Sequence, residues 1–542
     1  MTASMAKTAY YIETANLRYA YPQASGKRVL DGIDLQIRPD EFVLLCGASG
    51  SGKSTLARTF NGLIPHFYGG VLEGSVNIAG KPTLAYKVGE LFKHIGMVFQ
   101  NPEAQLFNRT VEREIAFGLE SLGLTRTTIR RRIDDAVERC GISTLLERNP
   151  HMLSGGEQQL VAMAAILAAR PQIIVLDEPY ANLDPHNVRR IREVLRTLNR
   201  QGIGIIISEH RLALTAADAE RMVVLYDGRV AQNDSPRNLF SQDMEAYGLE
   251  TPLAVKIGRQ QNLSPLPLDL AALKSQLPSC MSNGYPLPKP APEPSKAEVI
   301  LEAESLSYNL NGKPILQTIS FALRRGECLA IVGPNGAGKT TLLKHINGLC
   351  RPTAGCLRWQ GNDTRKWKVS YQARHVGIAF QNPNSQFFKL TVNDEIQVGA
   401  RALDCFDADW LDNLVRLFRL QAFLPQAPYR LSSGEKKRVA FAAALAAQPD
   451  ILALDEPTAG QDLSFRRALR MLLSEMLSNG RAVLLVTQDL SFAEQVAHTW
   501  LLLAEGRTVA YGPPHQVMAD AKAMQQAGLE PTAAFQLQGF GA

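Results

Sequence analysis

The sequence has no cysteine pattern that indicates a disulfide framework or a metal site. Its seven cysteines form no CxxC pair and no ligand spacing with histidine, so we expect reduced thiols, as in the cytoplasm. The longest apolar runs, such as LVAMAAILAA at 160–169, fall well short of the roughly 18 to 20 residues that a membrane span needs. No signal-peptide pattern precedes the first expected strand. We therefore do not expect the chain to cross a membrane.

The chain also lacks a strong excess of either charge. Its 58 basic and 52 acidic residues give a net charge of +6 over 542 residues, and 45% of the residues are hydrophobic. This composition is typical of a soluble globular protein, and the length favours two or more domains. The densest basic cluster, RTTIRRR at 126–132, is explained better by a solvated helix face than by a nucleic-acid surface. We expect no nucleic-acid partner.

An internal duplication is the main positive feature of the sequence. GASGSGKST at 47–55 recurs as GPNGAGKTT at 333–341, and LSGGE at 153–157 recurs as LSSGE at 431–435. VFQNP likewise recurs as AFQNP, and VLDEP as ALDEP. Repetition of such motifs in one order indicates two copies of the same unit.

The register of the second half of each copy is constant. Ser154 and Ser432 lie 278 positions apart, and so do His210 and Gln488. The stretches IIISEHRL and LLVTQDL, which contain these last two residues, are therefore two versions of one site. The first copy carries an imidazole there, and the second carries an amide.

The expected domains follow from the repeat and from a proline-rich segment between the copies. We expect a first domain at 8–275, a linker at 276–297 and a second domain at 298–542, because proline-rich segments favour extended spacers. YGLETP at 247–252 resembles AGLEP at 527–531. Each domain is therefore expected to include a small C-terminal extension.

Each copy is predicted to be a three-layer α/β domain. The stretches QIIVLDEP at 172–179 and DILALDEP at 450–457 are continuous apolar runs that end in two acids. Such runs are typical of parallel strands that are covered by helices on both faces. A glycine-rich turn and a helix follow an earlier strand in each copy.

The glycine-rich turns match the phosphate-binding pattern GxxxxGK[ST]. Backbone N–H groups of such a loop surround the β-phosphate, the lysine reaches the β and γ oxygens, and the hydroxyl holds Mg²⁺. One match could be accidental, but two in register, each followed by an acid-ended strand, indicate nucleotide sites. The acids Asp177 and Asp455 are then expected near Mg²⁺, and Glu178 and Glu456 near the attacking water.

The LSGGE and LSSGE motifs have two interpretations. Ser154 with Glu157, and Ser432 with Glu435, form the capping-box pattern that starts a helix whatever its function. A helix start with exposed glycine backbone is also an anion site. The phosphate bound there is not easily the one held by the P-loop of the same copy.

Taken in order, the P-loop, FQNP, LSGGE, LDEP, an aspartate after it and His210 resemble the ATP-binding subunits of ABC transporters. The resemblance implies a RecA-like core, a helical signature subdomain and a small antiparallel β subdomain in each copy. It also implies that the copies pair head to tail, with each ATP between one P-loop and the other copy's signature motif. FQNPEAQLF, FQNPNSQFF and FNGLIPHFYGGVLEG are similar to the energy-coupling factor group.

That group implies an importer of a vitamin, a vitamin precursor or a metal ion. Its ATPases act at the cytoplasmic face of the cell membrane with a membrane coupling subunit and a small membrane substrate-binding subunit. Since those subunits contact the cargo, the cargo is not predicted. The alternative is a soluble tandem ATPase that acts on ribosomes or nucleic acid. The proline-rich linker and the lack of cysteine before Cys46 disfavour it.

The resemblance assigns ATP and Mg²⁺ contacts or catalytic roles in the first copy to Tyr21, Gly47, Ser49, Gly50, Gly52, Lys53, Ser54, Thr55, Gln100, Asp177, Glu178 and His210. In the second copy, the matching residues are Gly333, Asn335, Gly336, Gly338, Lys339, Thr340, Thr341, Gln381, Asp455, Glu456 and Gln488. The signature residues that close the first site are Ser432 and Gly434, and those that close the second are Ser154, Gly155 and Gly156. The Mg²⁺ contacts are Ser54, Gln100, Asp177, Thr340, Gln381 and Asp455, and the catalytic residues are Glu178, His210, Gln100, Glu456, Gln488 and Gln381.

The second copy departs from the family pattern at three positions. In the first copy, Tyr21 is expected to stack on adenine; its counterpart in the second copy is Leu310, with Tyr308 two residues away. Gln488 replaces the histidine. Ser433 replaces a glycine in the signature motif that would close the first site. We predict that the second site binds ATP but hydrolyses it slowly, unless Gln488 is simply a polar turn residue.

Overall fold

The protein is described by a computed structural model that covers residues 10–22, 28–181, 183–277 and 297–538. The chain divides into two compact units, residues 1–277 and 278–542. Nearly all of the expected linker at 276–297 lies outside the described residues. Within the described ranges, no helix combines the length and the apolar character that a membrane span requires.

The first unit contains two sheets. Its strands are β1 (Ile12–Ala20), β2 (Leu30–Ile37), β3 (Phe42–Cys46), β4 (Val71–Ile78), β5 (Lys81–Pro82), β6 (Ile95–Val98), β7 (Ile173–Asp177), β8 (Gly204–Ser208), β9 (Arg221–Tyr226) and β10 (Arg229–Asp234). The small sheet has the order β2-β1-β4-β5 and is antiparallel. The large sheet has the order β10-β9-β3-β8-β7-β6 and is parallel except for the edge strand β10.

Helices surround the large sheet of the first unit. They are α1 (Lys53–Phe60), α2 (Leu63–His66), α3 (Val88–Leu91), α4 (Val111–Ser121), α5 (Arg126–Cys140), α6 (Gly155–Ala168), α7 (Pro185–Arg200), α8 (Leu212–Thr215), α9 (Pro236–Leu239), α10 (Leu253–Gln260) and α11 (Leu270–Gln276). Strands β3, β7 and β8 are buried at every position, as their continuous apolar sequences predict.

Three hydrophobic clusters hold the first unit together. One joins the helical elements to the sheet through residues such as Ile115 and Leu160. A second lies between the two sheets and includes Leu56 of α1. The third contains Phe240 and Leu249 of the C-terminal extension. The extension therefore packs on strands β3 and β9, on the same face of the large sheet as the first cluster, instead of forming a separate body.

The second unit repeats this architecture. Its strands are β11 (Val299–Leu310), β12 (Lys313–Arg324), β13 (Cys328–Val332), β14 (Ala354–Trp359), β15 (Asn362–Asp363), β16 (Val376–Ala379), β17 (Ile451–Asp455), β18 (Ala482–Thr487), β19 (Thr499–Ala504) and β20 (Arg507–Gly512). The sheet orders are β12-β11-β14-β15 and β16-β17-β18-β13-β19-β20. The predicted α/β fold, with its small antiparallel sheet, is confirmed in both units.

The helices of the second unit occupy matching positions in the chain. They are α12 (Lys339–Ile346), α13 (Val369–His375), α14 (Val392–Ala402), α15 (Ala408–Leu417), α16 (Ser433–Ala446), α17 (Leu463–Ser478), α18 (Leu490–Val496), α19 (Pro514–Ala519), α20 (Ala521–Gln526) and α21 (Ala533–Gln538). In both units the P-loop strand is central, and the acid-ended strand lies two strands away. Carboxyl ends of adjacent parallel strands form the usual ligand edge of such sheets.

Candidate functional site

The two P-loops have the same backbone geometry. Gly47 and Gly333 adopt φ angles of 148° and 153°. A Cβ added to Gly47 would lie 2.2 Å from the carbonyl oxygen of Leu225, and one added to Gly333 would lie 2.3 Å from that of Leu503. Only glycine allows this close approach, because any side chain would force the backbones apart. The loops also contain the predicted nucleotide contacts Ser49, Gly50, Gly52, Asn335, Gly336 and Gly338.

The P-loop lysines fold back onto their own loops. Lys53 Nζ donates hydrogen bonds to the carbonyl oxygens of Gly47 and Ala48 at 2.8 and 2.9 Å. Lys339 Nζ does the same to Gly333 and Pro334, at 2.8 Å each. Burial lowers the pKa of Lys53, although nearby acids such as Glu178 oppose that shift. Phosphate oxygens would replace the carbonyl acceptors without moving the lysines far.

The hydroxyl after each lysine contacts the aspartate that ends β7 in the first unit or β17 in the second. Ser54 Oγ lies 2.9 Å from Asp177 Oδ1, and Thr340 Oγ1 lies 2.8 Å from Asp455 Oδ2. Burial raises the pKa of both carboxyl groups, and these hydroxyl hydrogen bonds partly offset it. Asp455 Oδ1 is buried without a hydrogen-bond partner among the described residues. A hydroxyl beside an oxygen-only acid, with a spare acceptor, fits a hard cation such as Mg²⁺.

Glu178, the predicted catalytic acid of the first unit, has two polar partners that the sequence analysis also named. Gln100 Nε2 donates to Glu178 Oε2 at 2.6 Å, and His210 Nδ1 lies 3.7 Å from Glu178 Oε1. Burial alone would raise the pKa of Glu178. The adjacent His210 and Lys53 outweigh it and hold this pKa below its usual range. A glutamate kept ionised beside the phosphate site is suited to orient a water molecule.

The corresponding acid of the second unit has different surroundings. Glu456 Oε2 accepts hydrogen bonds from Thr487 Oγ1 at 3.3 Å and from the Gln488 backbone N–H at 3.2 Å. Glu456 is buried, and burial raises its pKa to about 7. The side-chain amide of Gln488 donates instead to Asn335 Oδ1 in the P-loop. Gln381 occupies the position after β16 that Gln100 occupies after β6.

The sequence analysis missed a buried acid next to His210. Glu209 is fully buried, and its Oε1 accepts from the backbone N–H groups of His210 and Arg211 at 2.9 and 3.0 Å. The same oxygen lies 3.3 Å from His210 Nδ1. Thr487 replaces this acid in the second unit. A charged residue at the end of an otherwise apolar strand was the available signal.

Both predicted capping boxes are formed. Ser154 and Glu157 exchange hydrogen bonds at the start of α6, and Ser432 and Glu435 do so at the start of α16. A Cβ added to Gly155 would have its nearest neighbour at 3.7 Å. This position of the first unit therefore has room for a side chain.

The next glycine of the motif is more constrained. A Cβ added to Gly156 would lie 2.3 Å from the side chain of Asn187. Its counterpart in the second unit is Gly434. In the first unit, a side chain at this position would therefore require Asn187 to shift, independently of any ligand.

The predicted adenine-binding positions also differ between the units. Tyr21 OH lies 3.2 Å from Thr55 Oγ1, which places the ring beside the P-loop helix α1. Strand β11 instead continues to Leu310 and turns directly into β12 through Asn311 and Gly312, which have φ angles of 52° and 78°. Leu310 is exposed, and Tyr308 packs edge-to-face on His345 of α12, next to the predicted contact Thr341.

The sequence family described as ABC transporter matches residues 30–181 and 316–459, and so covers both P-loops and both acid-ended strands. The chain belongs to the ABC transporter family. Its two ABC domains bind ATP, and the chain is an ATPase, as the sequence analysis predicted.

Two relatives and one solved structure are similar to this ABC ATPase over most of its length. A protein of Methanosarcina mazei that is named as an ABC transporter ATP-binding protein is 34% identical over 539 residues, which is 95% of this chain and 91% of the relative. YkoD of Bacillus subtilis, which is named as an HMP/thiamine import ATP-binding protein, is 34% identical over 94% of this chain and 93% of the relative. An archaeal ribosome recycling factor, aABCE1, aligns with a TM-score of 0.58 at 20% identity over 90% and 89%. This last likeness concerns the tandem fold alone.

Replacing Gln488 with histidine is expected to raise hydrolysis at the second site. In a Glu178→Gln background, which silences the first site, we expect a gain of about 10-fold, because one well-aimed donor or charge is typically worth about 10² to 10³ in rate. Single-turnover ATP hydrolysis by the purified double and single variants measures this. Gln488→Ala is the control, since it removes the hydrogen bond from Gln488 to Asn335 without adding an imidazole. An equal gain from alanine would assign the effect to release of the P-loop.

Proposed function

We propose that the chain is the energy-coupling ATPase of an importer of the energy-coupling factor type. It powers uptake of a vitamin, a vitamin precursor or a metal ion through separate membrane subunits at the cytoplasmic face of the membrane. Its two ABC domains pair with each other, so that each P-loop is closed by the other domain's signature motif. The observation that carries the membrane partnership is an exposed phenylalanine on a rigid turn near each catalytic glutamine. The import role named for YkoD supports the same proposal.

The two phenylalanines are held outward by buried acids. Phe107 is 60% exposed, and the backbone N–H groups of Phe107 and Asn108 donate to Glu114 Oε2 at 2.9 and 2.7 Å. Phe388 is 66% exposed, and the corresponding bonds to Glu395 Oε2 are 2.9 and 2.7 Å long. Exposed aromatic side chains with a fixed backbone are typical anchors of protein interfaces.

Hydrogen bonds join the same turns to the segments that contain Gln100 and Gln381. In the first unit, the side chain of Gln105 accepts a hydrogen bond from Phe99 N at 2.8 Å and donates one to Met97 O at 3.1 Å. Gln386 makes the matching bonds in the second unit. A partner that moves Phe107 would therefore also move Gln100, which contacts Glu178. This provides a physical connection between a membrane subunit and ATP hydrolysis.

The proposed chemistry is attack of water on the γ-phosphate. Lys53 and the loop N–H groups bind the phosphates, and Glu178 accepts a hydrogen bond from the water while Gln100 and His210 fix its carboxylate. Mg²⁺ would be held by Ser54, Gln100 and Asp177 in the first site and by Thr340, Gln381 and Asp455 in the second, and it would supply positive charge that stabilises the phosphate groups. The chain's own groups provide position, and little covalent chemistry is required.

Charging the two exposed phenylalanines is expected to abolish membrane capture. The Phe107→Asp/Phe388→Asp double variant places carboxylates where an apolar anchor is required, so we expect at least a 10-fold loss of co-purification with hydrophobic membrane subunits. Met471→Asp is the matched control, because Met471 is 70% exposed on α17 and lies outside these turns. ATP binding by each purified variant verifies folding. Co-purification of the natural chain with ribosomes instead would favour the soluble alternative.

A further inference from the structure

A short turn follows the catalytic glutamate in each unit. It spans residues 178–181 in the first unit and 456–459 in the second, and we call it the acid turn. The N–H of Ala181 donates to the carbonyl oxygen of Glu178 at 3.1 Å, and that of Ala459 to Glu456 at 3.4 Å. The backbone of each glutamate has a positive φ, 47° and 48°. An L residue adopts this conformation only when its surroundings hold it.

In the second unit, a lysine from the signature helix α16 holds the acid turn. Lys437 Nζ donates to the carbonyl oxygens of Glu456 at 3.1 Å and Ala459 at 2.6 Å. Only 7% of Lys437 is exposed. Hydrogen bonds from a buried ammonium group are stronger than neutral ones, and they hold both ends of the turn at once.

In the first unit, the equivalent position on α6 is Gln159, since 437 less 278 is 159. Gln159 is 2% exposed, and its Nε2 has no hydrogen-bond partner among the described residues. The acid turn is held from the other side, where Arg211 Nη2 donates to the Tyr180 carbonyl oxygen at 2.7 Å. Arg211 follows His210 and also lies 3.5 Å from Glu209 Oε2.

The second unit has no equivalent of that arginine. Its residue at this position is Asp489, which caps α18 and accepts from Thr458 Oγ1 at 3.1 Å. Arg466 pairs with the same carboxylate at 2.9 Å. Among the described residues, each acid turn therefore accepts hydrogen bonds from a cation, Arg211 in the first unit and Lys437 in the second, and these two cations lie on different elements.

We propose that Lys437 is a positioning residue for the second ATP site, which ties the turn behind Glu456 to the signature helix. Arg211 performs the equivalent task in the first unit, from the loop that carries His210. A movement of α16 would therefore move Glu456 in the second site, whereas Glu178 in the first site would move with the loop that contains His210 and Arg211. The inference rests on the ATPase activity and on the site residues in the proposed function, and it does not depend on a membrane partner.

The first test uses a Glu178→Gln background, in which turnover reports the second site. Lys437→Gln, which installs the first unit's residue, should lower kcat about 10-fold and leave KM for ATP within twofold, because Lys339 and the P-loop are unchanged. Lys437→Arg should restore at least half of the lost rate, since it retains the donors. An unchanged kcat, or equal damage from glutamine and arginine, would overturn the proposal.

The second test transfers the lysine to the first unit, in a Glu456→Gln background. Arg211→Ala should lower first-site turnover, and adding Gln159→Lys should recover part of it, because the ammonium group would reach the acid turn from α6. Failure to recover would show that the two cations are not equivalent. This arm remains informative if Lys437→Gln does not fold. If the natural chain did not co-purify with membrane subunits, that result would count against the proposed function alone, because both tests use soluble ATPase activity.

Discussion

Glu178→Gln is expected to remove most of the ATP turnover of this chain, by about 10² to 10³-fold, whereas Glu456→Gln should cost less than threefold. Glu178 has an amide, Gln100 at 2.6 Å, and an imidazole, His210 at 3.7 Å, beside its carboxylate. At Glu456, Gln488 stands in place of the histidine, and the carboxylate accepts hydrogen bonds from Thr487 Oγ1 and the Gln488 backbone N–H. The natural rate should therefore come almost entirely from the first site.

Steady-state ATPase assays of the two purified variants, with equilibrium ATP binding measured in parallel, provide the comparison. Each substitution is the control for the other, because both replace a carboxylate by its isosteric amide at matching positions. We expect ATP binding to remain in both, since neither change alters a P-loop lysine. Equal losses of turnover in the two variants would contradict the asymmetry.

Motifs predicted the parts of the sites that one backbone geometry determines. The pattern GxxxxGK[ST] requires the close approach of Gly47 to Leu225 and brings Ser54 to Asp177, so the residue types alone were sufficient. The capping boxes of α6 and α16 were predicted for the same reason, because four consecutive residues complete them. The continuous apolar runs likewise predicted β7 and β17 as strands that are buried on both faces.

Residues whose role depends on distant neighbours were not predicted. Glu209 differs from an ordinary strand-end residue because tertiary packing buries it completely beside His210. Lys437 resembles a surface lysine in the sequence EKKR, yet packing buries it against the acid turn. The hydrogen bond from Gln488 to Asn335 joins residues 153 positions apart. Such pairings follow from tertiary packing, which a motif does not encode.

The second large effect concerns the proposed pairing of the two ABC domains. If the signature motif of the second unit closes the first site, Gly434→Asp places a carboxylate against the γ-phosphate bound at Lys53. Repulsion between like charges in a partly desolvated site should lower total turnover by about 10²-fold. Gly156→Asp makes the same change against the slower second site at Lys339, so total turnover should fall by less than threefold.

The pair of variants separates a ligand effect from a local folding effect. A Cβ at Gly156 already meets Asn187 at 2.3 Å, so Gly156→Asp disturbs its own unit at least as directly as it disturbs a bound phosphate. If local damage governed activity, Gly156→Asp would silence the faster P-loop of its own unit, and total turnover would collapse. If the domains close each other's sites, it is Gly434→Asp, in the unit with the slower P-loop, that abolishes turnover. Nucleotide trapping mapped to each P-loop shows directly which site has lost its ATP. Loss of trapping at Lys339 after Gly434→Asp would mean that each signature motif serves its own unit, and the head-to-tail arrangement would be wrong.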